Sequence, residues 1–220
     1  MKKEQVASMI DHTFLKPIAN YDSIKAICFE AIKYNFATVA IYTAFIPYAK
    51  KILDESNVGI TAAIAFPFGN WNLEMKVFEV NDAINKGATD CDFVINIGAL
   101  KDKKYDIVKK EMEAIRKAAK NLIVKAIIEV SLLNEDQIVK ACELGIAAGL
   151  DYIKTSTGFY GKPTLNIANI MFDILKNTST KLKVAGGMRT AEQAKIMVDA
   201  GARRLGTSNG VSIVKAWETT

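Results

Sequence analysis

Lys154 closes a short apolar run, Asp151-Tyr152-Ile153-Lys154, and the hydroxyl residues Thr155, Ser156 and Thr157 follow it before Gly158. Read as a strand, the run places Lys154 on the face of Tyr152, with Ile153 on the other side. An ammonium group next to an apolar interior is costly unless it is paired or gives up its proton. A lysine at a strand end can also snorkel to water, which is the plain reading of this position. The next apolar run, Leu182-Lys183-Val184-Ala185, repeats the plan and ends in Gly186-Gly187. Lysines on successive strands predict a reactive amine beside a second cation. At the ordinary lysine pKa of about 10.4 almost no free amine exists at neutral pH. A drop of about three pH units, about 4 kcal/mol, supplies a useful fraction, and burial and a neighbouring ammonium both act in that direction. A free amine attacks an aldehyde, and the iminium formed is an electron sink for carbon–carbon bond chemistry. On the residues alone, either lysine can be the nucleophile.

A proton carrier is needed beside such an amine, and Asp92 lies within the apolar run from Cys91 to Asn96. It shares a strand face with Val94 and Asn96. It can serve as a general acid/base, or simply pair with a lysine and hold the pocket together. Asp11 with Thr13, and Lys125 with Glu129, complete the charged and polar set expected on the strands; Lys125 and Glu129 can form a buried pair. So many ionisable groups in a dry interior must pair with one another or with a ligand. The compact turns Gly186-Gly187 and Gly206-Thr207-Ser208-Asn209-Gly210 let backbone N–H groups approach an anion. His12, the single histidine, falls in a buried-looking run and is expected to make a structural hydrogen bond. Trp71 and Trp217 read as packing or interface residues, and Phe66-Pro67-Phe68-Gly69 reads as a loop near the site.

These groups need a frame. The chain has 220 residues, half of them hydrophobic and about a quarter charged, which is ordinary globular composition for one domain over 1–220. Lysine and arginine number 29 against 24 acidic residues, a mild and scattered excess that does not point to nucleic acid. Cys28, Cys91 and Cys142 are far apart, with no CxxC, so buried free thiols in a reducing compartment are expected, and no zinc site. No apolar run reaches the roughly 18 residues of a membrane span, and no signal-peptide core follows Met1. A cytoplasmic protein is expected.

Strand-like runs are expected at Met9–Thr13, Val39–Tyr42, Ile60–Ala65, Cys91–Asn96, Ile123–Val130, Asp151–Lys154, Leu182–Ala185 and Arg203–Gly206. Most are continuously apolar, as parallel strands covered on both faces are. Amphipathic segments lie between them. Asn134-Glu135-Asp136-Gln137 and Thr190-Ala191-Glu192-Gln193 are capping boxes in form. Asp102 is expected to cap a helix through Lys120, whose apolar stripe includes Ile107, Val108, Met112 and Ile115. Eight such units predict a single-domain TIM (β/α)8 barrel, with a short N-terminal helix. A doubly wound sheet is the alternative, but no GxGxxG follows the first strand. In a barrel, polar groups should gather at the C-terminal mouth, where Lys154, Lys183 and Asp92 fall.

KTSTGF at 154–159, KVAGGMRT at 183–190 and CDFVINIGALK at 91–101 together resemble the deoxyribose-phosphate aldolase family of class I aldolases. The resemblance runs from MIDHTFLKP at 9–17 to GTSNGVSIV at 206–214. It implies reversible cleavage of 2-deoxyribose 5-phosphate to glyceraldehyde 3-phosphate and acetaldehyde. It assigns the Schiff base to Lys154, the perturbing cation to Lys183 and proton transfer to Asp92. It also carries phosphate contacts onto Gly158, Gly186, Gly187, Arg189, Gly206, Ser208 and Asn209. It implies no metal and no organic cofactor, and often a homodimer. The rival readings are another Schiff-base barrel of transaldolase type and a phosphate-binding barrel without turnover. Ala40-Ile41-Tyr42-Thr43 and Ala65 depart from the family pattern, and the sequence ends at Thr220 without the C-terminal tyrosine that some members place over the substrate. These departures bear on closure and preference rather than on reaction type.

Overall fold

The computed structural model describes residues 1–217; the Thr220 departure lies outside them. Eight strands form a closed parallel barrel in sequence order: β1 Ile10–Thr13, β2 Thr38–Tyr42, β3 Gly59–Ile64, β4 Asp90–Val94, β5 Ile123–Ile127, β6 Tyr152–Lys154, β7 Lys181–Ala185 and β8 Arg204–Thr207. Around them run α1 Lys3–Ala7, α2 Tyr21–Tyr34, α3 Ile46–Leu53, α4 Leu73–Lys86, α5 Ile97–Lys101, α6 Tyr105–Ala118, α7 Glu135–Ala147, α8 Leu165–Leu175, α9 Ala191–Asp199 and α10 Gly210–Lys215. The expected TIM barrel and its short N-terminal helix are both present. No helix among the described residues is long and apolar enough to cross a membrane.

Alternation along the strands explains the two-sided burial. Val39, Ile41, Cys91, Phe93, Val124, Ile153, Leu182 and Val184 belong to the core between sheet and helices. The intervening residues turn inward, and there the charges lie. Asn134 and Thr190 close capping boxes on α7 and α9, as their spacing predicts. All three thiols are buried and unpaired, and burial pushes each up to about 12.

Three local expectations are corrected. Asp102 does not open α6: it is the C-cap of α5, and Lys104 precedes α6. Ile107 stands exposed on α6 rather than in its apolar stripe. β5 stops at Ile127 instead of Val130, because Glu129 takes a left-handed conformation (φ 54°) and starts a tight turn over Val130–Leu132. Ala65, after β3, is also left-handed (φ 49°), a conformation that glycine adopts with less strain; its N–H donates to Glu79 Oε2 at 2.8 Å.

β6 has only three residues, so its alignment with β7 rests on few ladder bonds. The pairing sets Lys154 beside Lys183. Past the strand end, Thr155 Oγ1 donates to Ala185 O (2.8 Å) and accepts from Ala185 N (3.0 Å). One side chain thus ties down both backbone groups of the residue that precedes Gly186.

Candidate active site

Lys154, Lys183 and Asp92 converge inside the barrel near its C-terminal end. Lys154 Nζ donates to Asp92 Oδ2 at 2.7 Å, and Lys183 Nζ donates to the same oxygen at 2.6 Å. The two nitrogens therefore lie within two hydrogen-bond lengths of each other. Lys183 also donates to Asp11 Oδ2. Lys125, from β5, reaches Asp90 (2.6 Å) and Asp92 (3.1 Å) and lies 3.8 Å from Asp11. Arg204 Nη1 donates to Asp11 Oδ1 at 2.8 Å, and Thr38 Oγ1 donates to that same oxygen. The expected Lys125–Glu129 pair does not form, because Glu129 lies beyond the strand end while Lys125 turns into the barrel among the aspartates.

The cluster holds four basic groups (Lys125, Lys154, Lys183, Arg204) and three carboxylates (Asp11, Asp90, Asp92). A dry interior with one cation too many favours the loss of a proton. Lys125 and Arg204 do not supply it. Burial opposes their charge, but the surrounding aspartates outweigh it and hold both above their ordinary values. Asp92 is likewise buried, which favours its neutral form, yet Lys125, Lys154 and Lys183 hold it well below the usual carboxylate range. Asp11 is held low in the same way, by Lys183, Lys125 and Arg204 against burial.

Lys154 is where the proton is easiest to lose: its amine is lowered to about 8. Burial is the largest cause. Asp92 pulls the other way, and the Lys183 charge adds to the lowering. Crowding by Lys183 is thus a contributor and not the main cause, contrary to the weight that sequence reasoning puts on it. At pH 7 a group of pKa about 8 is roughly one-tenth free amine, against about one part in three thousand at the ordinary value.

A cavity of about 810 Å³ opens over the cluster, and all seven residues expected at a phosphate line it: Gly158, Gly186, Gly187, Arg189, Gly206, Ser208 and Asn209. Lys154 lines it too, whereas Lys183 and Asp92 lie behind it. Gly186 (φ 107°) and Gly187 (φ 74°) are left-handed, which lets the turn after β7 fold back sharply. A side chain at Gly206 would meet Ala185 Cβ at 2.8 Å and Lys183 Cε at 3.3 Å, so glycine there makes room for the buried lysine. Arg189 is exposed and has no side-chain contact with a carboxylate among the described residues.

His12 does make a hydrogen bond, from Nε2 to Glu30 at 2.6 Å. Trp217 packs at the N-terminal side, its Nε1 donating to Met1 O at 3.0 Å, while Trp71 is exposed in the loop before α4. Asp90 and Arg204 escaped the sequence reading. Alternation offers a signal for Asp90, two residues before Asp92 on the same face. Lys162 escaped it as well: its stem lies against Gly187, within 2.7 Å of where a Cβ would stand.

Comparison with known proteins converges on one family. The family described as DeoC/LacD family aldolase matches residues 5–217. The deoxyribose-phosphate aldolase 1 of Mesoplasma florum is 47% identical over 210 residues, covering 95% of each chain. The deoxyribose-phosphate aldolase of Mycoplasma capricolum is 49% identical over 207 residues, covering 93% of this chain and 92% of its own. The tetrameric deoxyribose phosphate aldolase of Aeropyrum pernix superposes with a TM-score of 0.92 at 28% identity, covering 97% of this chain and 91% of its own. The chain belongs to the DeoC/LacD family of aldolases.

Proposed function

We propose that this enzyme reversibly cleaves 2-deoxyribose 5-phosphate to glyceraldehyde 3-phosphate and acetaldehyde through an imine on Lys154. The observation that carries the reading is that Lys154 is the one amine of the cluster that both lines the cavity and has its pKa lowered, to about 8. Sequence alone leaves the choice between two lysines open, and burial of Lys183 behind the cavity favours Lys154 as the nucleophile.

In the cleavage direction, the free Lys154 amine adds to the C1 aldehyde of the open-chain sugar, and water leaves to give the iminium. Loss of the C3 hydroxyl proton breaks the C2–C3 bond, and its electron pair moves into the iminium to give an enamine. Glyceraldehyde 3-phosphate departs. Protonation at C2 and hydrolysis then release acetaldehyde and restore the amine. Asp92, ionised and within hydrogen-bond reach of Lys154, is the proton acceptor for these steps. Lys183 shares its oxygen and passes a proton back. The phosphate is held by the turns after β6, β7 and β8, through Gly158, Gly186, Gly187, Gly206, Ser208 and Asn209, with Arg189 at the rim.

Buried, unpaired thiols fit a reducing compartment, the cytoplasm. The homodimer is part of the same proposal, and light scattering on the purified chain tests it. Borohydride trapping with acetaldehyde tests the chemistry: peptide mass should place the ethyl adduct on Lys154, and an adduct elsewhere, or none, overturns the assignment.

A further inference from the structure

The wall of the cavity formed by Thr157, Gly158 and Phe159 is not supported by the barrel ladder. β6 ends at Lys154 and α8 begins only at Leu165. What holds the start of this loop is a carboxylate from the neighbouring strand end. Glu129 Oε2 accepts from Thr157 N at 2.9 Å and from Thr157 Oγ1. Its other oxygen accepts from Ser131 Oγ at 3.1 Å. Thr157 Oγ1 in turn accepts from Phe159 N at 3.2 Å, so one carboxylate organises the turn through three residues.

Glu129 is fully buried, and no Lys, Arg or His among the described residues forms an ion pair with it. Its left-handed backbone (φ 54°) is a conformation that a side chain opposes. A buried carboxyl group without a basic partner, on a strained backbone, is a poor device for stability. The same conformation aims its carboxylate at Thr157, on the wall of the cavity.

We infer that Glu129 is a positioning residue: from the end of β5 it sets where Thr157, Gly158 and Phe159 stand around the substrate. This rests on the aldolase reading above, and specifically on Gly158 as a phosphate contact. Loss of the carboxylate then weakens binding of the phosphosugar and leaves the amine chemistry at Lys154 in place.

The test uses the full chain with Glu129→Gly, which removes the carboxylate and relieves the backbone, and Glu129→Gln, which keeps an acceptor oxygen for Thr157. For Glu129→Gly the expected result is a KM for 2-deoxyribose 5-phosphate raised about tenfold or more, kcat changed less than about threefold, and wild-type borohydride trapping of acetaldehyde at Lys154. Glu129→Gln should restore KM to within about threefold of wild type. If Glu129→Gly fails to fold, Ser131→Ala, which frees only one carboxylate oxygen, should still raise KM about two- to fivefold. Unchanged KM in Glu129→Gly (or, where that variant does not fold, in Ser131→Ala), loss of trapping with KM unchanged, or no rescue by Glu129→Gln overturns the inference. Wild type that traps no acetaldehyde overturns the aldolase reading beneath it instead.

Discussion

Buried lysines meet buried carboxylates in two parts of this molecule, and the two arrangements differ in stoichiometry. Outside the barrel, Lys76 of α4 meets Glu111 of α6 at 2.6 Å, one cation to one anion. The backbone completes both partners: Lys76 donates to Val94 O at 2.8 Å, and Glu111 accepts from Asn96 N at 2.8 Å. Burial draws both toward their neutral forms, Lys76 downward and Glu111 upward. Inside the barrel Asp92 serves Lys125, Lys154 and Lys183 at once, and there the carboxylate is pinned low while Lys154 falls to about 8. Both regions are dry, so burial alone does not make a reactive amine. Lys154 differs from Lys76 in a second ammonium, Lys183, that shares its carboxylate and adds to the lowering, and in its opening toward the cavity.

Breaking the inner cluster at Lys154 should have the largest effect. Lys154→Leu is expected to lower kcat/KM by about a thousandfold or more, measured by coupled assay of glyceraldehyde 3-phosphate. Activity within about tenfold of wild type would mean that another amine does the chemistry. The outer pair should respond in stability instead. Lys76→Met leaves Glu111 buried alone and should cost about 3–5 kcal/mol in urea unfolding, much of it recovered in the Lys76→Met/Glu111→Leu double variant. A kcat loss in the folded single variant beyond about threefold would erase the contrast between the regions.

Asp92→Asn comes next, with kcat lowered about a hundredfold to a thousandfold. Because Asp92 raises the pKa of Lys154, its removal should also move the pH–rate midpoint below 8. The wild-type profile gives the smallest change. Asp92, Lys183 and Asp11 are the charged groups that act on Lys154. Free amine appears as pH rises, so the rate of imine formation should climb about tenfold per pH unit below 8 and level off above it. The unfolded chain keeps this proton up to about 10.5, so between 8 and 10.5 it binds more protons than the folded chain does. The stability contributed by this group therefore rises with pH across that window. A rate that falls through pH 8 would place the chemistry on a protonated group.

The barrel was legible because eight apolar runs of strand length recur with capped helical segments between them, and the start of each strand falls within one residue of the expected position. Lys154, Lys183 and Asp92 were legible as charges among apolar neighbours. The errors lie where local pattern meets tertiary geometry. Alternation aims Lys125 inward, but β5 ends before Glu129, so the two cannot pair. Asp90 and Arg204 stand at strand starts, where a charge reads as ordinary surface, yet the closure of the barrel brings both against Asp11 or Lys125. How many lysines share one carboxylate depends on which strands face each other across the interior. That is a property of closure and tilt, not of any single segment.

Thr155 fixes how far this arrangement can drift. A slip of one residue between β6 and β7 would present Leu182 inward and turn Lys183 out among the helices. The strand most exposed to such slippage is the shortest one, and its alignment pin is a single hydroxyl clasping Ala185. Valine at this position would fill nearly the same space and leave the core packed, while the mutual placement of the two amines would lose its gauge.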